Sequence, residues 1–183
     1  PPTISALDLQ LEGEFVPGLE RWVNYSFLHA TEEILPGFET GSSQGSTPRP
    51  TDQRHTVSMY LQDYIPDNPT WRLHLRTLYG SGLPYTPPVP GPQVGNLLVQ
   101  APGERFSARY PRYFRFDMGV TKELVVAEGK RPLNLDVTFE ILNVFNMTNT
   151  VSYSWVPDAA GIWRRVPTRL TPRTFNVRAR LEF

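Results

Sequence analysis

Seven stretches of this chain alternate between apolar and polar residues, and the connections joining them are sorted by length. The stretches fall near residues 4–15, 21–31, 54–64, 70–80, 112–124, 132–145 and 173–183. An extended backbone sends successive side chains to opposite faces, so each stretch reads as a strand with one greasy face and one polar face. Leu7, Leu9 and Leu11 oppose Asp8, Gln10 and Glu12 in the first; Phe175, Val177, Ala179 and Leu181 oppose Asn176, Arg178 and Arg180 in the last. No stretch shows a convincing helical period. The connections after the first, third and fifth strands are short: VPGLE, IPDNP and VVAEGKR. Those after the second, fourth and sixth are long and include residues 32–52, 82–111 and 146–172. In an up-and-down antiparallel sheet, alternate connections leave from the same end. Short turns therefore gather at one end and long loops at the other, as in outer-membrane barrels. A soluble Greek-key sandwich has no reason to sort its loops this way.

The simplest account of alternation is a sheet packed on a second sheet with its polar face in water. Two features oppose it. The polar faces are rich in ionic groups, Thr, Ser and Asn, which suits a wet interior. Aromatic residues also gather at the strand ends on the apolar face. Phe15, Trp71 and Phe183 fall at the short-turn end; Tyr79, Phe114, Phe145 and Phe175 fall at the long-loop end. Aromatic girdles at both water interfaces are the pattern of a membrane barrel. No run of about 18 apolar residues suggests a spanning helix, but barrel strands carry no such signal.

Composition closes off several function classes. The chain has 183 residues, with 18 basic and 18 acidic side chains, so it lacks the charge footprint of nucleic-acid binding. Without cysteine, it has no disulfides and no thiolate metal or redox site. The 19 prolines and 13 glycines point to turns and long irregular loops. An odd count of seven strands does not close a bacterial barrel alone, and open edges are forbidden in lipid. The expectation is an arc of a larger barrel, with residues 1–183 as its C-terminal part. The start at Pro1-Pro2, without Met or a leader, fits a piece of a longer protein.

The segment FEILNVFNMTN (139–149), followed by a long loop and PRTFNVRARLEF, resembles the last two strands of TonB-dependent outer-membrane receptors. HTVSMYLQDYIPDNPTWRLHLRTLYGSGLPYTPP (55–88) resembles an upstream hairpin of the Bacteroidetes-type receptors, and YFRFDMGVTKEL (113–124) also fits. The resemblance covers nearly the whole chain. It implies an antiparallel up-and-down transmembrane β-barrel of about 22 strands, closed by an N-terminal plug. It further implies import of a scarce nutrient (a siderophore, glycan, peptide or vitamin) with energy passed from the TonB complex. The implied partners are outer-membrane lipid, the remaining barrel and plug, the TonB complex and a surface lipoprotein. Phe183 resembles the terminal signal read by the barrel-assembly machinery. The alternatives are a barrel that scaffolds a surface assembly and a soluble sandwich that binds a ligand.

Catalytic and metal chemistry find little support. His29, His55 and His74 are the only histidines; the first two share a face near the long-loop ends and the third faces the other way. A metal needs three or four converging ligands, so no metal site and no cofactor are expected. Asp117, Glu123, Asp136 and Glu140 sit near Arg115, Lys122, Arg178 and Arg180, which favours cross-strand ion pairing over a hydrolytic carboxylate pair. Asn146-Met147-Thr148 matches a glycosylation triplet only formally. The binding candidates are Tyr153, Trp155, Trp163, Arg164 and Arg165 in the last long loop, where aromatics and arginines suit capture of sugars, peptides or anionic chelates. The competing account is that this loop packs on itself as a hairpin.

Overall fold

The computed structural model describes residues 2–13, 21–34, 45–94, 97–127, 133–159 and 161–182. Its described residues form β-strands and connections, with every strand pair antiparallel. The strands are β1 (Pro2–Glu12), β2 (Arg21–Ile34), β3 (Gly45–Pro48), β4 (His55–Ile65), β5 (Asn68–Gly80), β6 (Pro84–Tyr85), β7 (Pro88–Val94), β8 (Leu97–Pro102), β9 (Ala108–Arg109), β10 (Tyr113–Ala127), β11 (Leu133–Leu142), β12 (Thr150–Pro157), β13 (Trp163–Arg169) and β14 (Thr174–Glu182). The main sheet runs β1-β2-β4-β5-β10-β11-β14, with β3 pairing the far end of β2. Each long strand therefore lies beside the next long strand in the chain, the meander that the sorted loops predict. The small strands all fall inside the three long connections.

Local chemistry sets the strand limits. Pro66-Asp67 joins β4 to β5; proline presets one turn dihedral and Asp67 takes the left-handed conformation at φ 62°. The sixth stretch ends at Leu142 rather than 145, because Asn143 also turns left-handed at φ 55° and sends Phe145 into a turn. Among the described residues, β1 and β14 are edge strands and the sheet does not close into a barrel.

The two faces are buried in reverse of a soluble protein. Ala30 is the one buried hydrophobic residue among those described, whereas Asp117, Thr121 and Thr138 are at most 8% exposed. On the opposite face Phe175, Val177 and Leu181 are 63%, 69% and 51% exposed. Rows of that face are apolar across the sheet: Leu9, Tyr25, Val57, Tyr79 and Phe114 are successive partners. So are Leu73, Val120, Phe139 and Val177.

The register is also strongly staggered. Starting from Arg21, the first residue of β2, partners run through Leu61, Leu75, Met118 and Ile141 to Phe175. Arg21 lies at the short-turn end of its strand, but Phe175 lies at the long-loop end of β14. Across these strands the pairing climbs by nearly a whole strand length. Sheets that curl into barrels need such a stagger.

Candidate functional site

Two places on the sheet concentrate polar chemistry: a basin on the polar face and a cluster among the long loops. The basin encloses about 640 Å3 over β4, β5, β10, β11 and β14. Its floor is built by the alternation itself, since every polar row of those strands points the same way. The row Gln62, His74, Gly119, Glu140 and Asn176 crosses it. His74 Nε2 lies 3.1 Å from Glu140 Oε1, although β10 runs between their strands. Gly119 makes that reach possible. A Cβ there would lie 2.2 Å from His74 Nε2 and 2.9 Å from Glu140 Cγ. Asn176 Nδ2 donates to the other Glu140 oxygen at 2.8 Å.

Arg72 plays a similar bridging part. Its Nε lies 2.7 Å from Glu123 Oε1 as an ion pair without an aligned hydrogen bond, and its Nη2 donates to Asp136 at 3.3 Å. Arg115 pairs with Asp117 at 2.7 Å, and Asp117 also accepts the Asn143 amide at 2.8 Å. The expected cross-strand ion pairing is present, but its central cation is Arg72. Arg180 pairs with Glu182 on its own strand, and Lys122 lies on the apolar face. Arg76 and Arg178 line the basin and form no ion pair within 4 Å among the described residues. Each carboxylate in the basin is held by a cation or an amide, which suits a hydrated wall and leaves no unpartnered acid–base pair. Among the described residues no group of His, Asp or Glu can hold a metal ion.

The long-loop end is organised around Asp52, which is wholly buried. Its carboxylate accepts the Ala30 amide of β2 at 2.7 Å, Arg54 Nε at 3.0 Å and Arg109 Nη2. Arg109 Nη1 donates to the Asp52 carbonyl at 2.7 Å and to the Gly82 carbonyl at 3.0 Å. One side chain thus ties together the end of β2, the turn before β4 and β9 of the second long connection. Burial works against charge on Asp52, but the Ala30, Arg109 and Arg54 hydrogen bonds outweigh it and hold the carboxyl below its ordinary pKa. Beside it, Glu32 accepts from Arg105 at 2.7 Å.

The last long connection folds into the hairpin β12–β13. Pairing of Tyr153 with Pro167, Trp155 with Arg165 and Pro157 with Trp163 puts Tyr153, Trp155, Trp163 and Arg165 on one face. Arg164 points the other way and is held by Asp158 at 2.9 Å, closing the hairpin turn. Tyr153 packs against Tyr85 and Tyr110 with ring centroids 5.4 and 5.3 Å apart, and the Arg165 guanidinium lies 4.4 Å over its ring. Burial, with Tyr85 and Tyr153 alongside, raises the pKa of the Tyr110 hydroxyl. The structure thus unites four of the five binding candidates on one aromatic face and turns Arg164 to support. Sequence spacing missed Tyr85 and Tyr110, which arrive from a different connection.

The girdle candidates keep their faces. Trp71 lies at the short-turn end beside Lys122, while Tyr79, Phe114 and Phe175 lie toward the long loops. Phe145 packs at 6.1 Å from Phe114 and 5.4 Å from Phe116. Phe15 and Phe183 lie outside the described residues. His55 contacts the Tyr25 hydroxyl at 3.0 Å on the apolar face, opposite His74. The asparagines of the NVFNMTN segment have a structural use. Asn149 exchanges two 2.9 Å hydrogen bonds with the backbone of Phe114, imitating a strand neighbour. Asn146 accepts the Arg173 amide at 2.9 Å, which places the start of β14 and accounts for the triplet without glycosylation. No known family model matches the chain, and no curated protein or solved structure matches it.

Proposed function

We propose that this sheet is an arc of the wall of an outer-membrane β-barrel, and that the barrel is a TonB-dependent receptor importing a scarce nutrient. The reversal of burial carries the reading: polar side chains are sheltered and large apolar ones are bare. Water penalises a bare apolar face of this size, whereas lipid accepts it. The stagger supports the same reading. Five strand spacings of about 4.8 Å separate β2 from β14, and seven residues of about 3.3 Å separate Phe175 from Glu182. The short-turn ends come level when the strands lean by about 45°, the lean of strands that cross a bilayer as a barrel.

With that lean, Arg21, Asp63 and Lys122, the charged side chains on the short-turn side of the apolar face, fall within about 3 Å of one level. Ser5, His29, His55, Tyr79, Phe114 and Phe175 fall about 15 to 20 Å above it. Between the levels the described face is apolar, apart from the hydroxyls of Tyr25 and Thr77. Arg21 and Asp63 pair with each other. With its aromatic borders this band approaches the roughly 25 Å apolar belt of an outer-membrane barrel. The polar basin then faces the lumen. The hairpin face of Tyr153, Trp155, Trp163 and Arg165 stands on the ligand-receiving side, with the long loops tied down by Asp52. Ligand capture there and passage along the polar wall make up the transport cycle, driven through the resemblance-implied plug and TonB complex.

The absence of cysteine offers a clean test. Single-cysteine variants along β10, from residue 115 to 121, are spin-labelled in the full-length protein carrying this chain. Labels at 116, 118 and 120 are expected to be accessible to oxygen in lipid and shielded from a water-soluble nickel chelate. Labels at 115, 117 and 121 are expected to behave oppositely. Uniform access of the nickel chelate to both faces would end the membrane reading.

A further inference from the structure

Lys122 is one of only two lysines in a chain with 16 arginines, and it occupies an apolar row. Its register partners are Trp71 on β5 and Val137 on β11, and Val120 and Leu124 precede and follow it on the same face. Its ammonium lies 5.0 Å from the centre of the Trp71 ring and donates to the Thr70 hydroxyl. Thr70 in turn donates to Asn68 at 2.7 Å, next to the Pro66-Asp67 turn. The side chain therefore bends away from the apolar band toward the polar turn, as a lysine does at a lipid–water boundary. Of the charges on that level, Arg21 and Asp63 neutralise each other, and Lys122 forms no ion pair among the described residues. Among the described residues, what remains is one uncompensated cation on an indole at the edge of a greasy face.

We propose that Lys122 and Trp71 form a docking point for the phosphate of an anionic phospholipid in the leaflet on the short-turn side. The chemistry matches in three parts. The ammonium meets the phosphate, the indole ring lies at headgroup depth, and the apolar patch of Val120, Val137 and Ala179 beside Lys122 receives the acyl chain. An ammonium suits this task, since it acts as a point charge toward phosphate and its flexible stem follows the headgroup. The inference rests on the membrane reading given above, but it fails separately from it.

The test uses the full-length protein carrying this chain, reconstituted in nanodiscs of phosphatidylethanolamine with about a third phosphatidylglycerol. Lipids retained after mild delipidation are counted by native mass spectrometry. The wild type is expected to retain phosphatidylglycerol in preference to phosphatidylethanolamine. Lys122→Gln is expected to lower that preference about fivefold, the effect of removing one cation at a membrane surface, and Lys122→Arg to keep most of it. Heat-dependent gel mobility confirms that each variant is folded. A Lys122→Gln protein that is folded and keeps the wild-type preference overturns the site. Loss of the preference when 10-fold excess inorganic phosphate over lipid is added also overturns it, by assigning the cation to a soluble anion. If the protein stays dispersed in water without discs, the membrane reading itself falls and takes the site with it.

Discussion

At the scale of single residues, a few polar side chains carry a disproportionate share of the order. Asp52 meets two segments that are remote in sequence, at Ala30 and Arg109, as well as its neighbour Arg54, and has no exposed surface. Replacing it with alanine orphans the Ala30 amide and takes the carboxylate partner from Arg54 and Arg109, although Arg109 keeps its bonds to the Asp52 and Gly82 carbonyls. A loss of about 2 kcal/mol or more is expected at the long-loop end, read as faster hydrogen exchange at Ala30. The pH dependence follows from the lowered carboxyl pKa. The folded value lies below the unfolded one, so this contribution is complete above about pH 4 and disappears as pH falls through the folded value. Loop protection should hold from neutral pH down to that point and then collapse on further acidification; a loss already at pH 6 would contradict the account. Asn149→Ala removes two hydrogen bonds to Phe114 and is expected to cost about 1 to 3 kcal/mol in urea unfolding. Asn149→Asp should recover little, because it cannot donate to the Phe114 carbonyl.

At the scale of elements, the hairpin β12–β13 divides its two neighbouring arginines. Arg165→Ala strips the cation from Tyr153 and, on the proposed function, should weaken ligand capture, while Arg164→Ala should loosen the hairpin turn at Asp158 without touching the aromatic face. Comparing uptake with the proteolytic sensitivity of residues 157–163 separates the two effects. The seven long strands were legible from period-two alternation because an extended backbone sends its apolar and polar rows to opposite faces whatever the tertiary contacts. Their ends were less so: Asn143 ends β11 through a left-handed backbone that a run of apolar residues does not announce. Of the strands inside the long connections, the β12–β13 hairpin was foreseen as the competing account of the last loop, and the others escaped. Pro88–Val94 and Leu97–Pro102 pair with each other without clear alternation, and Pro84–Tyr85 meets Ala108–Arg109 over only two residues. The candidate site was legible in its chemistry and not in its assembly. Aromatics and arginines in residues 153–165 were visible, but Tyr85 and Tyr110 come from another connection, and only the Asp52 ties and the sheet order bring the loops together.

At the scale of the whole molecule, the stagger is the property with the widest reach. It requires the strands to lean by about 45° if their short-turn ends lie level, and polarised infrared spectroscopy of oriented membranes should return an angle near that value. Strands standing upright would be incompatible with the register from Arg21 to Phe175. The outer edges of β1 and β14 present unpaired backbone among the described residues, and lipid does not tolerate such edges. On the proposed barrel reading, amides along both strands of the full-length protein should resist exchange as strongly as those of β5, because further strands would cover them.

Gly119 lends the wall a means of proofreading. The strap from His74 to Glu140 passes over β10 only where that strand offers no side chain. Slide β10 by one residue, and Met118 or Val120 would arrive under the strap, bulky and on the wrong side of the sheet. The bond would be blocked by the same error that turned the strand inside out, so a correctly threaded wall is the one in which the strap can fasten.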